Sequence, residues 1–465
     1  MEMTEWLTIA EAGRQIRSRQ LSPVELFRYC MERIHRYEAK LNTFITVLED
    51  AAQKQAEQAE RDIMAGNYRG PLHGIPISLK DIIAYAGCPM TNGSRIAPEY
   101  TPTAHATVAQ KLVDAGTVMM GKAHLNEYAF KAPHPHYGWT RNPWDTESIP
   151  GGSSSGSGSA VQAALVLCSI GTDTGGSIRN PASYCGVVGL KPTYGLVSRY
   201  GVSPLSWTLD HIGPLTRTCE DAALMLGAMA GYDENDDGSC AAPNWSESSF
   251  VKTDSLRGKK IGVPSSYFYD NLAPDVEAAV RRALNDLETL GAELIPVAIE
   301  SMDELLGAHR IILNTEAYAY HHNNLQEQPE GYGPKLRLSF ELGQYFTAEA
   351  YIGAQRLRTR MRDQFSGIFA KVDALVTPTT PTAAKKIKQY ENETSLAMQS
   401  MTSTANFLGL PALSLPCGFT SEGLPVGLQL MGRPFGEGDI LTIGHCYEQY
   451  AALYKKLPDE THWVA

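Results

Sequence analysis

The stretch GTDTGGSIRNPASYCGVVGLKPTYG, residues 171–195, holds the pattern that decides the fold of this chain. The apolar run LVLCSI, residues 165–170, leads into it and predicts a buried strand that ends near Asp173. Two glycines then precede Ser177, and glycine lets another group approach the backbone closely because it has no Cβ. From this stretch alone, Ser177 is either an ordinary turn residue or a nucleophile held against backbone N–H groups.

A second unusual stretch, PGGSSSGSG at residues 150–158, is rich in glycine and serine. Such a composition is typical of a flexible linker. This tract is short, however, and it runs directly into SAVQAALVLCSIGTD, residues 159–173, which predicts a helix followed by a strand. Glycine and serine in front of a helix also suit an anion-binding or catalytic loop. Taken by itself, the tract leaves both interpretations open.

Alternating elements around these two stretches indicate an α/β fold. GPLHGIPISLKDII, residues 70–83, predicts a strand with Lys80 near its end. TVAQKLVDAGTVMMGK, residues 107–122, predicts a helix, a glycine stop and then a buried strand. The N-terminal segments TIAE (8–11) and SPVE (22–25) fit the capping box that begins a helix.

The overall composition is that of a globular protein. Of the 465 residues, 43% are hydrophobic and 20% are charged, and the formal net charge is −11. The negative charge argues against nucleic acid or an anionic membrane as a main partner. No apolar run reaches the roughly 20 residues of a membrane span, and the N-terminus lacks the features of a signal peptide, so we expect a cytoplasmic protein.

The sequence also argues against metals and cofactors. The eight cysteines are scattered without a C-x-x-C pair, which argues against a disulfide framework or a structural zinc site. The twelve histidines form no H-E-x-x-H motif. We therefore expect no metal and no cofactor.

Lys80, the glycine–serine tract and the 171–195 stretch together resemble the amidase signature family of serine hydrolases. The resemblance runs over nearly the whole chain, as far as NFLGLPALSLPCGF at residues 406–419. It implies an α/β fold in a single large domain, residues 1–465, with helices around a twisted mixed β-sheet core. The core is expected at about 60–235 and 370–460, and a variable, mostly helical region that shapes the substrate site at about 240–370.

The same resemblance implies a Ser–cis-Ser–Lys triad, with Ser177 as the nucleophile, Ser153 as a bridging serine after a cis peptide bond, and Lys80 as the base. A serine hydroxyl is a weak nucleophile until a base takes its proton. A lysine is a base only when neutral, so its pKa must fall from about 10.4 toward roughly 7–8. Burial lowers the pKa of a lysine, and the sequence neighbours of Lys80 are mostly apolar.

Further roles follow from the resemblance, position by position. An oxyanion loop is expected from Thr174, Gly175, Gly176 and Ser177. The residues expected to brace this loop are Ser154, Thr172, Asp173 and Arg179. Candidate substrate contacts, which suit an ordinary core equally well, are Tyr128, Ala129 and Phe130. His211 is interpreted as structural, because the family uses a lysine as its base.

The implied function is hydrolysis of an amide-like C–N bond, in an amide, a carbamate or a urea derivative, through an acyl-enzyme on Ser177. The alternative is the glutamine-hydrolysing A subunit of a tRNA-dependent amidotransferase. That branch holds glutamine with an arginine and an acidic residue. Leu338 and Ser339 stand where arginines are expected, and no acid lies beside Gln399. We therefore favour a stand-alone amidase, and the absence of a cationic clasp in the variable region favours a neutral substrate.

The expected partners follow from this choice. They are the small amide or carbamate substrate and water, with no nucleic acid and no membrane. Homodimers are common in the family, so a homodimer is the oligomer that the resemblance allows.

Overall fold

Eleven strands form one mixed β-sheet in the structure, a computed structural model that describes residues 6–241, 245, 247–392 and 401–464. In chain order, the described strands are β1 (Phe44–Val47), β2 (Pro76–Lys80), β3 (Val118–Ala123), β4 (Cys168–Asp173), β5 (Val188–Lys191), β6 (His211–Thr216), β7 (Lys260–Pro264), β8 (Glu293–Val297), β9 (Ala374–Pro378), β10 (Ala412–Phe419) and β11 (Pro425–Gly432). Across the sheet, their order is β1-β3-β2-β4-β6-β5-β10-β11-β9-β7-β8. β2 lies parallel to β3 and β4, and β7 lies parallel to β8 and β9, whereas the other neighbours are antiparallel. The prediction of a single large α/β domain with a mixed sheet is confirmed.

Fourteen α-helices in the described ranges pack around this sheet. They are α1 (Ile9–Arg17), α2 (Pro23–Leu41), α3 (Glu49–Met64), α4 (Thr107–Asp114), α5 (Ser155–Gln162), α6 (Arg179–Cys185), α7 (Cys219–Met229), α8 (Pro274–Thr289), α9 (Met302–Glu327), α10 (Pro334–Glu341), α11 (Ala348–Phe369), α12 (Ile387–Asn392), α13 (Ser403–Leu408) and α14 (Glu437–Ala451). Both predicted capping boxes are present, from Thr8 and Glu11 at α1 and from Ser22 and Glu25 at α2. Within the part of the chain that is described, no helix combines the length and the apolar character needed to cross a membrane.

Two parallel strands bring their ends together near the middle of the sheet. β2 and β4 are neighbours, with Ile77 opposite Cys168 and Leu79 opposite Ile170. Because both strands run in the same direction, Lys80 at the end of β2 comes beside the end of β4. The carboxyl ends of adjacent parallel strands thus meet at one edge of the sheet, where α/β proteins commonly build their sites.

The strands around this point are covered on both faces. Every residue of β2, β3, β4, β5 and β6 is buried. A strand with two buried faces carries a continuous apolar run instead of an alternating pattern. Burial on both sides therefore explains why the apolar runs of β2 and β4 were visible in the sequence.

The predicted variable region, about 240–370, contributes strands as well as helices. It contains β7, β8 and the helices α8 to α11. β7 continues the sheet beyond β9, with Ile261 opposite Ala374 and Gly262 opposite Leu375. The region is therefore continuous with the sheet, and the domain boundaries proposed from the sequence stay predictions.

The glycine–serine tract is a packed element and not a linker. α5 begins at Ser155, inside the tract, and all 8 of its residues are buried. The N–H of Gly156 donates to the carbonyl of His124 at 2.9 Å. A Cβ on Gly156 would lie 2.2 Å from the carbonyl oxygen of Thr43 and 2.6 Å from the backbone nitrogen of His124. Glycine is required at this position because two backbones touch.

Replacing Gly156 with alanine is expected to destabilise the protein, because the added methyl group would press on the backbone at residues 43 and 124. Overpacking of this kind lowers the free energy of unfolding by about 1–3 kcal/mol. Gly353 in α11 is the matched control, since a Cβ there meets nothing within 4 Å and alanine favours a helix more than glycine does. Urea denaturation of both variants measures the difference, and an unchanged midpoint for Gly156→Ala would contradict the packing.

Candidate active site

Lys80 lies at the centre of the candidate site, and its side chain is fully buried. Its Nζ donates to the hydroxyl of Ser153 at 2.8 Å and to the hydroxyl of Thr172 at 2.9 Å. β2 supplies the lysine, β4 the threonine and the loop before α5 the serine. The peptide bond between Gly152 and Ser153 is cis. Three segments that are distant in sequence therefore converge on one amine.

Burial changes the proton affinity of this lysine. It lowers the pKa of Lys80 to about 7, because an ammonium group loses its hydration in the interior. The carboxylates of Asp173 and Asp210 act in the opposite direction, and their effect is smaller. Near neutral pH a substantial fraction of Lys80 is therefore the free amine, which can accept a proton.

Ser177 lies against the loop that carries Ser153. The N–H of Ser154 donates to the carbonyl of Ser177 at 3.2 Å, which ties the two serine loops together. The hydroxyl of Ser154 in turn anchors its loop to β4, donating to the carbonyl of Thr172 at 3.2 Å and accepting from its N–H at 3.3 Å. The hydroxyl of Ser177 forms no hydrogen bond with any described residue, and the side chain is partly exposed.

A single carboxylate shapes the predicted oxyanion loop, residues 174–177. The N–H of Gly176 donates to Asp173 Oδ1 at 2.7 Å, and the N–H of Ile178 donates to Oδ2 at 3.1 Å. Gly176 has a φ of +133°, and a Cβ on it would lie 2.2 Å from Thr402 Oγ1. The amide of Gly176 is thus committed to the loop itself. The amides that have no hydrogen-bond partner among the described residues are those of Thr174, Gly175 and Ser177.

Asp173 and Arg179 form a fully buried ion pair behind this loop, with Nη2 2.9 Å from Oδ1 and Nε 3.0 Å from Oδ2. Burial alone would raise the pKa of Asp173, but the guanidinium holds it well below its usual range. The other guanidinium N–H groups donate to the carbonyl of Thr402 at 2.8 Å, and to the side-chain oxygens of Gln429 and Asn406, both at 2.6 Å. Every N–H of the guanidinium is therefore hydrogen-bonded.

Helix α9 and the segment before β6 hold the opposite end of the loop. His309 Nε2 lies 2.9 Å from the carbonyl of Thr174, and the hydroxyl of Thr174 donates to Asp210 at 2.6 Å. Burial lowers the pKa of His309 to about 4 and raises the pKa of Asp210 to about 6. His309 is therefore neutral at physiological pH, and its proton sits on Nε2 because a carbonyl can only accept.

His211 lines the same cleft as Thr172 and Thr174, and its structural role stays a prediction. It is buried, and its Nδ1 lies 2.6 Å from the carbonyl of Leu209. Its ring packs edge-on against Tyr194. Burial lowers the pKa of His211 well below its usual value, so the ring stays neutral.

The three predicted substrate residues occupy a tight loop after β3. Tyr128 and Ala129 have positive φ values of 44° and 60°. Ala129 lines an open cleft beside the oxyanion loop. The ring of Tyr128 is buried, and its centroid lies 4.4 Å from that of the His321 ring. The ring of Phe130 stacks on that of Phe340, with the two centroids 6.2 Å apart. Tyr128 therefore supports the wall of the cleft and Ala129 borders it.

Sequence reasoning missed several polar residues that hold the site, namely Asn126, Asp210, His309, Asn406 and Gln429. The N–H of Asn126 donates to the carbonyl of Ser153 at 3.0 Å. Two of the five had a detectable signal: Gln429 stands alone among apolar residues in VGLQLMG, and Asn406 does so in ANFLGL. A lone polar residue in an apolar element is normally buried with a partner. The other three carried no such signal.

Positions 338 and 339, where the amidotransferase branch is expected to carry the arginine that binds glutamine, both lie on α10. Leu338 is 61% exposed. Ser339 is buried, and its hydroxyl donates to the carbonyl of Lys335 at 2.9 Å. The neighbouring Arg337 is paired with two glutamates of the same surface. Gln399 lies outside the described residues. Positions 338 and 339 thus offer no cation to a carboxylate.

The site combines the hydroxyls of two serines, a buried amine and backbone amides without a described hydrogen-bond partner, which are the groups that nucleophilic acyl transfer requires. A base relieves the serine of its proton, and backbone N–H groups stabilise the oxygen that becomes negative. No group of three or more histidine, cysteine or acidic side chains suited to a metal ion occurs in the described ranges. The chemistry that these residues support is therefore attack by a serine on a carbonyl carbon.

Known proteins with similar sequences and structures point in the same direction. Residues 25–441 match the family model described as Amidase. The A subunit of glutamyl-tRNA(Gln) amidotransferase from Chloroflexus aggregans is 40% identical over 98% of this chain and 99% of its own length. A solved vestigial protein complex that reveals the origins of an s-triazine catabolic enzyme contains a chain with a TM-score of 0.90 and 32% identity, covering 96% of this chain and 98% of that one. The peptide amidase of Stenotrophomonas maltophilia has a TM-score of 0.84 and 30% identity over 97% of both chains.

One sequence-based prediction is wrong. We expected the small substrate and water as partners, without nucleic acid, and a homodimer as the oligomer that the family resemblance allows. The curated relative from Chloroflexus aggregans, one of several that match over nearly the full length, is by name one component of a complex, and its name includes a tRNA. The exclusion of nucleic acid rested on the net charge of −11, and the charge of a whole chain does not describe a local surface that contacts a partner.

Replacing Arg179 with methionine is expected to destabilise the fold, because it leaves the carboxylate of Asp173 buried without its counter-charge. Removing one partner of a buried pair costs about 3–5 kcal/mol. Arg337→Met is the matched control, since that arginine pairs at the surface, where an ion pair contributes at most about 1 kcal/mol. Guanidinium denaturation of the two variants separates these cases. A loss for Arg179→Met as small as the control's would show that the pair is not the anchor of the loop.

Proposed function

The chain belongs to the amidase family, and from that premise we propose that it hydrolyses an amide C–N bond through an acyl-enzyme on Ser177. The observation that carries this proposal is the buried Lys80, whose lowered pKa and 2.8 Å hydrogen bond to Ser153 supply a proton acceptor beside the nucleophile's loop. A serine lacks such an acceptor by itself. Burial alone keeps the lysine partly neutral, so no additional base is required.

In the first half-reaction, the amine of Lys80 accepts the proton of Ser153 while Ser153 accepts the proton of Ser177. Ser177 Oγ forms a bond to the amide carbon, and the carbonyl electrons move onto the oxygen. The amides of Thr174, Gly175 and Ser177 donate to that oxyanion, and one such donor is worth about 3 kcal/mol. The proton then passes back from Lys80 through Ser153 to the leaving nitrogen, and the C–N bond breaks.

In the second half-reaction, water replaces the departed amine. Ser153 accepts a proton from the water and passes its own proton to Lys80, while the oxygen of the water attacks the ester carbon. The oxyanion forms again, and its collapse breaks the bond to Ser177 Oγ, which recovers its proton. The products are a carboxylic acid and ammonia or an amine. Lys80 and Ser153 serve both half-reactions because a lysine with a pKa of about 7 can accept and donate a proton at neutral pH.

We propose further that the amide is glutamine and that the chain supplies ammonia as one component of an amidotransferase. The support is the extent of the match to the amidotransferase relative from Chloroflexus aggregans: 40% identity over 98% of this chain and 99% of that one. Hydrolysis of the glutamine side chain at Ser177 would yield glutamate and ammonia. Partner subunits and a tRNA would then use the ammonia.

A second candidate is a hydrolase that acts alone on another amide or on a carbamate. The observation that favours it is the absence of a cation at positions 338 and 339, where Leu338 is exposed and Ser339 bonds to its own helix. The peptide amidase with a TM-score of 0.84 indicates that this fold also serves such a hydrolase. The chemistry at Ser177 is the same in both candidates.

The test is ammonia release from glutamine, simple primary amides and carbamates, with the chain alone and co-expressed with amidotransferase subunits of its own organism. Ser177→Ala is expected to lower kcat by about 10³-fold or more on any accepted substrate, because the acyl-enzyme cannot form. Ser157→Ala is the matched control, since this buried serine of α5 has no hydrogen-bond partner in the described structure. It is expected to keep activity within about twofold.

The outcomes separate the two candidates. Glutamine turnover that depends on the partner subunits supports the amidotransferase role. Turnover of neutral amides or carbamates by the chain alone supports the second candidate. Native activity in a folded Ser177→Ala variant would overturn both, because the two share the nucleophile.

The pH dependence of kcat/KM is expected to show an acid limb with its midpoint at about 7, since Lys80 must lose its proton to act as the base. Activity therefore rises with pH through this midpoint, and falls about tenfold per unit well below it. Asp210→Asn distinguishes Lys80 from the other group that titrates nearby. The Asp210 carboxylate raises the pKa of Lys80, so its loss should move the midpoint to lower pH. A limb that disappears in Asp210→Asn would assign the titration to Asp210 instead.

A further inference from the structure

A tryptophan on the loop before β6 has its backbone fixed on both sides. The N–H of Ser206, which precedes Trp207, donates to the carboxylate of Asp210 at 3.0 Å. The N–H of Thr208, which follows Trp207, donates to the carboxylate of Glu316 on α9 at 3.1 Å. The position of the tryptophan is therefore set by two carboxylates from different elements of the fold.

The side chain of Trp207 lines the cleft beside the oxyanion loop and is 47% exposed. Tyr200 lines the same cleft and is 50% exposed. The ring of Tyr320 packs against Trp207 at a right angle, with the two centroids 6.5 Å apart. Single exposed aromatic residues are common on protein surfaces. Two of them on the wall of one cleft, one with a fixed backbone, form a preformed surface for a ligand.

The cleft reaches from these aromatic rings to the proposed catalytic groups. Its lining includes Thr174 of the oxyanion loop and Thr172, whose hydroxyl accepts from Nζ of Lys80 at 2.9 Å. Its volume is about 270 Å³, which is room for an organic group much larger than ammonia. A substituent of the scissile amide can therefore extend from the catalytic groups toward Trp207.

The described lining of the cleft holds one arginine and no lysine. That arginine, Arg199, is paired with Asp236: its Nη2 lies 2.6 Å from Oδ1 and its Nε 3.2 Å from Oδ2. Its Nη1 also donates to the hydroxyl of Tyr194 at 2.7 Å. The charge of Arg199 is thus balanced, and an anionic ligand would meet no unpaired cation in this lining.

Two further carboxylates line the cleft without forming an ion pair with any described residue. Asp210 accepts from neutral donors, the hydroxyl of Thr174 at 2.6 Å and the N–H of Leu205 at 2.8 Å. Asp237 is exposed to solvent. The lining therefore carries more negative than positive charge, which attracts a cation.

His211 adds an unused acceptor to the same lining. Its Nδ1 lies 2.6 Å from the carbonyl of Leu209, and a carbonyl can only accept, so the proton of the neutral ring is on Nδ1. Its Nε2 therefore has a lone pair, and this buried atom has no hydrogen-bond partner in the described structure. An acceptor is satisfied by a donor such as the N–H of an ammonium or amidinium group.

We propose that this cleft binds a cationic nitrogen group of the substrate at Trp207 and Asp237, so that the amide cleaved at Ser177 carries a protonated amine, amidine or guanidine away from the scissile bond. An indole face and a carboxylate both stabilise such a cation. The inference rests on the proposed hydrolysis at Ser177 and adds a subsite beyond the scissile amide. The sequence favoured a neutral substrate because a cationic clasp is absent, and the same absence suits a cation.

The test compares two pairs of amides of equal length, 4-aminobutanamide with pentanamide and 6-aminohexanamide with heptanamide. The members of each pair differ only in a terminal ammonium or methyl group. The ratio of kcat/KM for the charged amide to that for the uncharged one is measured with the chain in the form that turns over amides, alone or with its subunits. The native ratio should exceed one in at least one pair. A ratio of one or less in both pairs would overturn the inference.

Trp207→Leu is expected to lower this ratio by about 3–10-fold, because leucine keeps an apolar contact and loses the aromatic face that attracts a cation. Trp207→Phe should keep most of the ratio, which a merely structural role of the tryptophan would not explain. Tyr345→Leu is the matched control, since Tyr345 is also exposed and lies outside the lining of the cleft.

Asp237→Asn should lower the ratio by about 2–5-fold, the range for an exposed charge pair. The effect should shrink at high salt, because an exposed pair is screened. Asp363→Asn is the matched control, an exposed aspartate of α11 outside the cleft, and it should leave the ratio unchanged.

A binding measurement makes the test independent of turnover. The amino amide preferred by the native chain is titrated calorimetrically into the Ser177→Ala chain. Its Kd should be lower than that of the uncharged amide of equal length, and Trp207→Leu should remove most of the difference. Equal binding of the charged and uncharged amides would contradict a cation site.

Failure of the inference and failure of the proposed function look different. If the amides are hydrolysed at Ser177 and Trp207→Leu leaves the ratio unchanged, the cation site is wrong while the hydrolysis stands. If a folded Ser177→Ala chain turns over the amides at the native rate, the proposed function fails, whatever the binding measurement shows.

Discussion

The structure depends on one pair of opposite charges, Asp173 and Arg179, kept away from water at the centre of the sheet. An unpaired carboxylate in this place would lower the free energy of unfolding by about 3–5 kcal/mol. The pair is tolerable because every guanidinium N–H is hydrogen-bonded and the carboxylate also accepts the amides of Gly176 and Ile178. The arginine extends the constraint to α13 and β11 through Asn406 and Gln429. The shape of the loop before Ser177 and the stability of the fold are thus linked through one interaction.

Lys80 shows the other outcome for a buried cation. Arg179 has the carboxylate of Asp173 in direct contact. Lys80 is equally buried, but its hydrogen-bond partners are the hydroxyls of Ser153 and Thr172. Neutral partners compensate a charge only partly, so burial prevails and lowers the pKa of the lysine to about 7. Two equally buried cationic side chains thus differ in their partners, a carboxylate for Arg179 and hydroxyls for Lys80.

The proposed catalytic groups and the cleft beside them lie on different parts of the fold. Lys80, Ser153 and Ser177 stand at the ends of β2 and β4 and on adjoining loops, where the sheet holds them. The cleft beside them is bordered by the loop after β3, and α9 contributes His309, which contacts the carbonyl of Thr174. A peptide amidase and an amidotransferase component both match this chain over nearly their whole lengths, so one fold accompanies differently named activities.

The sequence by itself determined the α/β class, the strand ending at Lys80, the helices that begin with capping boxes and the grouping of Lys80, Ser153 and Ser177. These follow from local periodicity, from burial on both strand faces and from a long, specific motif. Only the tertiary structure decided which residues hold the site together. Thr174 and His309 are 135 residues apart, and Arg179 and Gln429 are 250 apart, so no local pattern connects them. The sequence indicated that burial should lower the pKa of Lys80, but the hydrogen-bond partners of its amine, Ser153 and Thr172, meet it only in the folded chain.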